Sequence, residues 1–217
     1  MRQEDYHQTG MIGPSYTGIT TTLGAIEAKR TTAWPDMGAL CVRLLYEAGV
    51  RPGDRVAAGF SGSFPAMNLA VMAACQSMKV EVIPISSVGA STYGATDPEL
   101  TFPEMLHRLV QDGVLTTDSA AVTLGGDNDT GDGMLPEQKM EILERLEQAG
   151  LVIFQEPKFL NNLEQRQEIY ERQGPIQCFV SVGGNVTSMG VGERGIALGQ
   201  GVLDPRSAMP VTDQSGL

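Results

Sequence analysis

RVAAGFSGSFPAMNLAVMAACQSMKVEVIPISS, residues 55–87, holds an apolar run, a glycine-serine turn, a helix-like stretch and a second β-branched run. A strand, a helix and another strand in that order predict a βαβ unit, whose strands lie parallel in one sheet. The turn in its middle, GFSGSF at 59–64, admits two chemistries. The spacing Gly59-x-Ser61-x-Ser63 nearly meets the G-x-S-x-G nucleophile elbow in its strand–turn–helix setting, with Ser where the last Gly belongs. The same turn suits an anion. Ser63 is placed to cap the helix that holds Pro65, and the amides and dipole of a first helical turn attract carboxylate or phosphate.

Working outward, the alternation continues. DMGALCVRLLYEAG before the unit reads as a helix closing on Gly49. Downstream, TFPEMLHRLVQDG is a helix with Thr101 and Glu104 placed for a capping box, SAAVTLGG a strand, and PEQKMEILERLEQAG a helix. LVIFQEP is a strand, NNLEQRQEIYERQG a helix, and IQCFVSVGGN a strand. The fold expected is α/β: an open, doubly wound, Rossmann-like and mostly parallel sheet of about five strands with helices on both faces. Residues 1–35 read as a polar extension without a clear strand that contributes to the site, 36–186 as the α/β core, and 187–217 as an irregular Gly- and Pro-rich tail.

In such sheets ligands bind beyond the carboxyl ends of the strands. Those ends carry SGS, SSVGAS, GGDNDTGDG and GGN, four small polar loops on one crest. Gly62 and Ser63 offer helix-end donors, Ser61, Ser86 and Ser87 offer hydroxyls, and Gly183, Gly184 and Asn185 allow backbone approach. Thr21, Lys29 and Arg30 belong to a threonine-rich segment with basic residues, and the two cations suit a negative ligand. Asp127 and Asp129 suggest a loose divalent-cation site, although the loop does not follow the EF-hand spacing. Trp34, the single tryptophan, reads as a packing anchor.

Composition narrows the function. The net charge of −11 argues against nucleic acid or anionic lipid as a partner. Three widely spaced cysteines without a CxxC pair read as buried free thiols, and no apolar run is long enough for a transmembrane segment. Of the two histidines, His7 and His107, neither follows a late strand, so a serine triad lacks its base and the anion-holding turn is the favoured reading.

ITTTLGAIEAKRT, GFSGSFPAMNLAV, ISSVGASTYGATDPELTFPEM, LGGDNDTGDGM and SVGGNVTSMG, in that order between about Ile12 and Gly190, resemble the poly-gamma-glutamate system protein family. The resemblance implies an accessory role in bacterial poly-γ-glutamate biosynthesis or export at the cell envelope. It also implies a membrane-anchoring segment before, and a histidine-containing α/β segment after, the portion seen here. Three readings follow: a protein that binds poly-γ-glutamate or a γ-glutamyl oligomer at the crest, a γ-glutamyl amide hydrolase or transferase using Ser61, and a non-catalytic partner of the membrane synthase complex.

Overall fold

The structure is a computed structural model, describing residues 4–184, 186–190 and 201–203. In chain order its elements are β1 (Thr20–Thr22), α1 (Ile26–Thr32), α2 (Asp36–Glu47), β2 (Arg55–Phe60), α3 (Pro65–Met78), β3 (Glu81–Ser87) and β4 (Ala90–Ser91). There follow α4 (Phe102–Gln111), β5 (Ala121–Thr123), a 3-10 turn at Asp127–Asp129, α5 (Pro136–Gln148), α6 (Phe159–Glu171), β6 (Cys178–Val182) and α7 (Val186–Met189).

The main sheet has the order β5-β3-β2-β6, and every pairing is parallel. β2 is central because its sequence can be buried on both sides. Val56, Ala58 and Phe60 face one layer, where Cys41 and Leu45 of α2, Val71, Met72 and Cys75 of α3 and Phe102 and Leu106 of α4 form a core. Phe60 meets Phe102 edge-on, with ring centroids 6.0 Å apart. Ala57 faces the other layer with Ile83, Ile85, Phe154, Phe179 and Tyr170, which α6 supplies. Tyr170 donates its hydroxyl to the Ala58 carbonyl at 3.2 Å, so a large ring is buried without stranding its polar end. A third cluster under α5 joins Ile142 and Leu146 to Val122, Leu124, Val88 and Ile19. The α/β class with parallel strands is therefore as the residue pattern implies, with helices on both faces. Thr101 and Glu104 form the expected capping box at α4, the Thr101 N–H donating to Glu104 Oε2 at 2.8 Å.

Several local expectations change. The stretch read as the fourth strand, at 151–157, contributes one parallel bridge, Ile153 to Val122, beside β5. The extension is not strandless: β1 pairs in parallel with β4, Thr20 opposite Ala90 and Thr22 opposite Ser91, as a separate two-stranded sheet. Trp34 is half exposed and meets the His7 ring at a tilt of 55°, centroids 4.6 Å apart, rather than anchoring the core. From Val186, α7 carries a short helix into the expected irregular tail. The rest of that tail, 191–200 and 204–217, lies outside the described residues.

Candidate functional site

The carboxyl ends of β2, β3 and β5 and the small β1–β4 sheet enclose a cleft of about 380 Å³. Among the residues proposed from sequence, Thr21, Lys29, Ser61, Ser63, Ser87, Asp127 and Gly184 line it. Ser91 and Phe64 line it too, and neither was singled out from the residues alone.

Register explains which serines arrive. β3 ends in Ser86 and Ser87, and successive side chains of a strand point to opposite faces. Ser87 reaches the cleft and donates to the Phe60 carbonyl at 3.2 Å. Ser86 is fully buried and bonded to the Ser119 hydroxyl at 2.8 Å, so it serves the core instead of a ligand. Gly62 lies behind the cleft wall: a Cβ there would stand 2.7 Å from the Val88 carbonyl oxygen, so glycine lets two crest loops touch. Gly183 similarly packs on Ser61 and is not part of the lining. Asn185 lies outside the described residues.

Ser63 is not a helix cap. The N-cap of α3 is Phe64, whose side chain has nothing to offer the first-turn amides. Ser63 Oγ instead accepts the Ser91 N–H at 2.9 Å and the Ser61 hydroxyl at 3.0 Å, while Ser61 Oγ accepts the Ser63 N–H at 3.2 Å. Asn68 of α3 pins the same turn by donating to the Ser61 carbonyl at 2.9 Å. The turn is thus a rigid serine lattice tied to β4.

Lys29 is the central cation of the cleft. It is 3% exposed, its Nζ lies 2.6 Å from Ser91 Oγ and 3.6 Å from the centre of the Phe64 ring. Among the described residues no carboxylate lies within ion-pair distance of it, and burial lowers its pKa from 10.5 to about 8. Arg30, the next residue, turns away: its guanidinium donates to the Glu4 carbonyl and lies over the Tyr6 ring at 3.9 Å. Its expected place at the ligand is corrected accordingly. A helix sends consecutive side chains about 100° apart, so Lys29 and Arg30 cannot share one target.

The divalent-cation expectation also changes. Asp129 is buried and committed, with Oδ2 accepting from Arg166 Nη2 at 2.5 Å and from Asn162 at 3.2 Å, and Oδ1 from the Gly125 N–H at 3.1 Å. Arg166 in turn donates Nε to Asn162 Oδ1 at 2.7 Å. Asp129 therefore anchors the crest loop to α6. Asp127 faces the cleft, and no group of three or more His, Cys, Asp or Glu converges among the described residues.

Fold and cleft together define an α/β protein with an open parallel sheet and a lysine–serine cleft at the strand crest. No family model matches the chain, and neither does any curated protein. Among solved structures, a quinone oxidoreductase from Thermus thermophilus aligns at 14% identity over 69% of this chain and 54% of that one, with a TM-score of 0.22. An open conformation of 2-hydroxyisobutyryl-CoA ligase aligns at 18% identity over 75% of this chain and 32% of that one, with a TM-score of 0.23. The chain spans about half the length of the first and a third of the second. At those scores neither neighbour bears on substrate or activity.

Proposed function

We propose that this chain is an accessory protein of poly-γ-glutamate biosynthesis or export, associated with the cell envelope, that holds a carboxylate-rich ligand in the crest cleft. One observation carries the reading: the buried ammonium of Lys29 faces a cleft and has, among the described residues, no carboxylate to neutralise it. An unpaired buried charge is costly, and an anion delivered to the cleft removes that cost while gaining a charge-assisted hydrogen bond. Of the serines around it, Ser63 keeps its hydroxyl proton for a carboxylate, because Ser61 donates to Ser63 Oγ and Ser87 to the Phe60 carbonyl. The five stretches that resemble the poly-gamma-glutamate system family supply the identity of the anion. No helix among the described residues is long and apolar enough to cross a membrane. Envelope association therefore rests on the resemblance alone.

Calorimetric titration with a γ-linked glutamate oligomer tests this. Saturable heat at neutral pH is expected, with affinity at least roughly tenfold weaker in Lys29→Met, the loss of one hydrogen bond to a charged group. Affinity should also fall as pH rises through about 8, where Lys29 gives up its proton. Absence of heat, or equal affinity in the variant, overturns the reading.

A further inference from the structure

Ser91 Oγ and Lys29 Nζ are the closest nucleophile–base pair lining the cleft, at 2.6 Å. When Lys29 is protonated it donates to Ser91. Once it is neutral the bond reverses, and the Ser91 hydroxyl donates to the nitrogen lone pair, which is the arrangement an activated serine needs. Ser61, the serine favoured by its elbow-like spacing, does not have this: among the described residues its hydroxyl bonds only to Ser63.

Three further features fix the geometry around the pair. Thr92 clasps the segment carrying Lys29, its hydroxyl donating to the Gly24 carbonyl at 2.8 Å and accepting the Gly24 N–H at 2.8 Å. Gly24 has no side chain because a Cβ there would stand 2.8 Å from Ser91 Oγ. Tyr93, two residues after Ser91, has φ +64°, a conformation that side-chain-bearing residues hold at a cost and that gathers at functional sites. Ser63 completes the set. Both acceptor positions of its Oγ are taken by the Ser91 N–H and the Ser61 hydroxyl, which leaves its own proton to donate into the cleft.

We propose that Ser91 is a nucleophile and Lys29 its general base, and that the cleft hydrolyses an amide bond in a carboxylate-bearing substrate. The proposal rests on the reading that the cleft admits a γ-glutamyl ligand, with the scissile amide rather than a free carboxylate beside Lys29, since a carboxylate there would keep the lysine protonated. Ser91 Oγ attacks the amide carbonyl carbon while its proton passes to Lys29 Nζ, and the Ser63 hydroxyl donates to the oxygen that becomes negative. The C–N bond breaks, the leaving amine takes the proton from Lys29, and an ester on Ser91 remains. Water then attacks that ester with Lys29 as base, releasing the carboxylic acid and returning the proton to Ser91. One amide and one water give one acid and one amine, and no oxidant or co-reactant is needed.

Among the described residues, Glu27 and Arg30 share its helix but pair with each other, Arg30 reaching to Glu4, and Asp127 lines the same cleft. α3 and β4 bring no charged side chain to it. The lysine, held near pH 8 by burial, therefore sets the pH dependence.

The test treats the full chain with an alkyl fluorophosphonate, which modifies activated serines, and maps the adduct by peptide mass spectrometry. Release of p-nitroaniline from γ-glutamyl-p-nitroanilide is followed in parallel. We expect the adduct on Ser91, no adduct in Ser91→Ala, and at least a tenfold slower reaction in Lys29→Met, each variant being shown to melt cooperatively. The labelling rate should rise roughly tenfold between about pH 7 and about pH 9, as the neutral lysine fraction grows. A folded chain that takes no label, an adduct on Ser61, or a rate unaffected by Lys29→Met overturns the proposal. Failure here is separable from failure of the binding reading. Saturable heat with a γ-linked glutamate oligomer but no label leaves binding without catalysis. Label without such heat keeps the dyad and rejects that ligand.

Discussion

Lys29 stores a conflict that can be read out by titration. Its pKa of about 8 in the folded chain lies below the 10.5 of an unconstrained lysine. Between those values the unfolded chain binds more protons than the folded one, so stability gains with rising pH across that window. The shift corresponds to about 3 kcal/mol at most. Burial raises Cys41 to about 11 and Cys75 to about 12, which acts with the opposite sign above pH 9. Subtracting the urea-unfolding free energies of Lys29→Met from those of the native chain cancels the thiols. That difference should climb by up to about 3 kcal/mol from pH 8 to 10.5, with the variant the more stable protein at neutral pH. A flat difference would mean that Lys29 is well solvated. The lysine itself was legible in the sequence as a rare cation in a threonine-rich segment. Its partner was not, because Ser91 lies 62 positions away and only the pairing of β1 with β4 brings the two together. Ser86 and Ser87 stood in the same loop, and nothing short of strand register tells which of them faces the ligand.

At the level of elements, the long regular pieces follow from local pattern and the short ones do not. The runs that became β2, β3, β5 and β6 are apolar, β-branched and bounded by turns, and they announce themselves. β1 has three residues and β4 two, too few for any periodicity, and they exist because a neighbouring segment offers hydrogen bonds. The run at 151–157 shows the converse: strand-like composition, yet its backbone meets β5 only around Ile153. The crest loop owes its shape to α6 through Asp129 and Arg166, both almost fully buried. Removing one partner strands the other charge, so Arg166→Met should lower unfolding free energy by about 3 to 5 kcal/mol. The double variant Asp129→Asn, Arg166→Met removes both charges while keeping an acceptor for the Gly125 N–H and a residue that tolerates φ +62°, and should recover most of that loss. A double variant no more stable than the single one would show that the loop needs this pair for reasons beyond charge. The acidic cluster in the sequence suggested a cation. The cation it found is a guanidinium on a helix more than thirty residues later, which no local spacing reveals.

Over the whole molecule, a net charge of −11 opposes any anionic ligand before it reaches Lys29, the single cation lining the cleft among the described residues. Salt screens the exposed charges over a Debye length of about 10 Å at 0.1 M, but acts weakly on a buried lysine. The association rate with a γ-linked glutamate oligomer should therefore rise several-fold between about 0.01 and 0.15 M salt. Stopped-flow rates that fall over this range would place the attraction on the surface instead. The order of the sheet has a different consequence, one for the making of the protein. β2 is the first strand of the main sheet to leave a ribosome, and one of its two edges waits for β6, which follows more than a hundred residues later. Throughout that interval a short ladder of backbone donors and acceptors, charged only at Arg55, is open to any passing strand. The nascent chain is consequently most exposed to misassembly just before residues 178–182 emerge, and a chaperone that shields β2 until then would be guarding the edge on which the finished cleft depends.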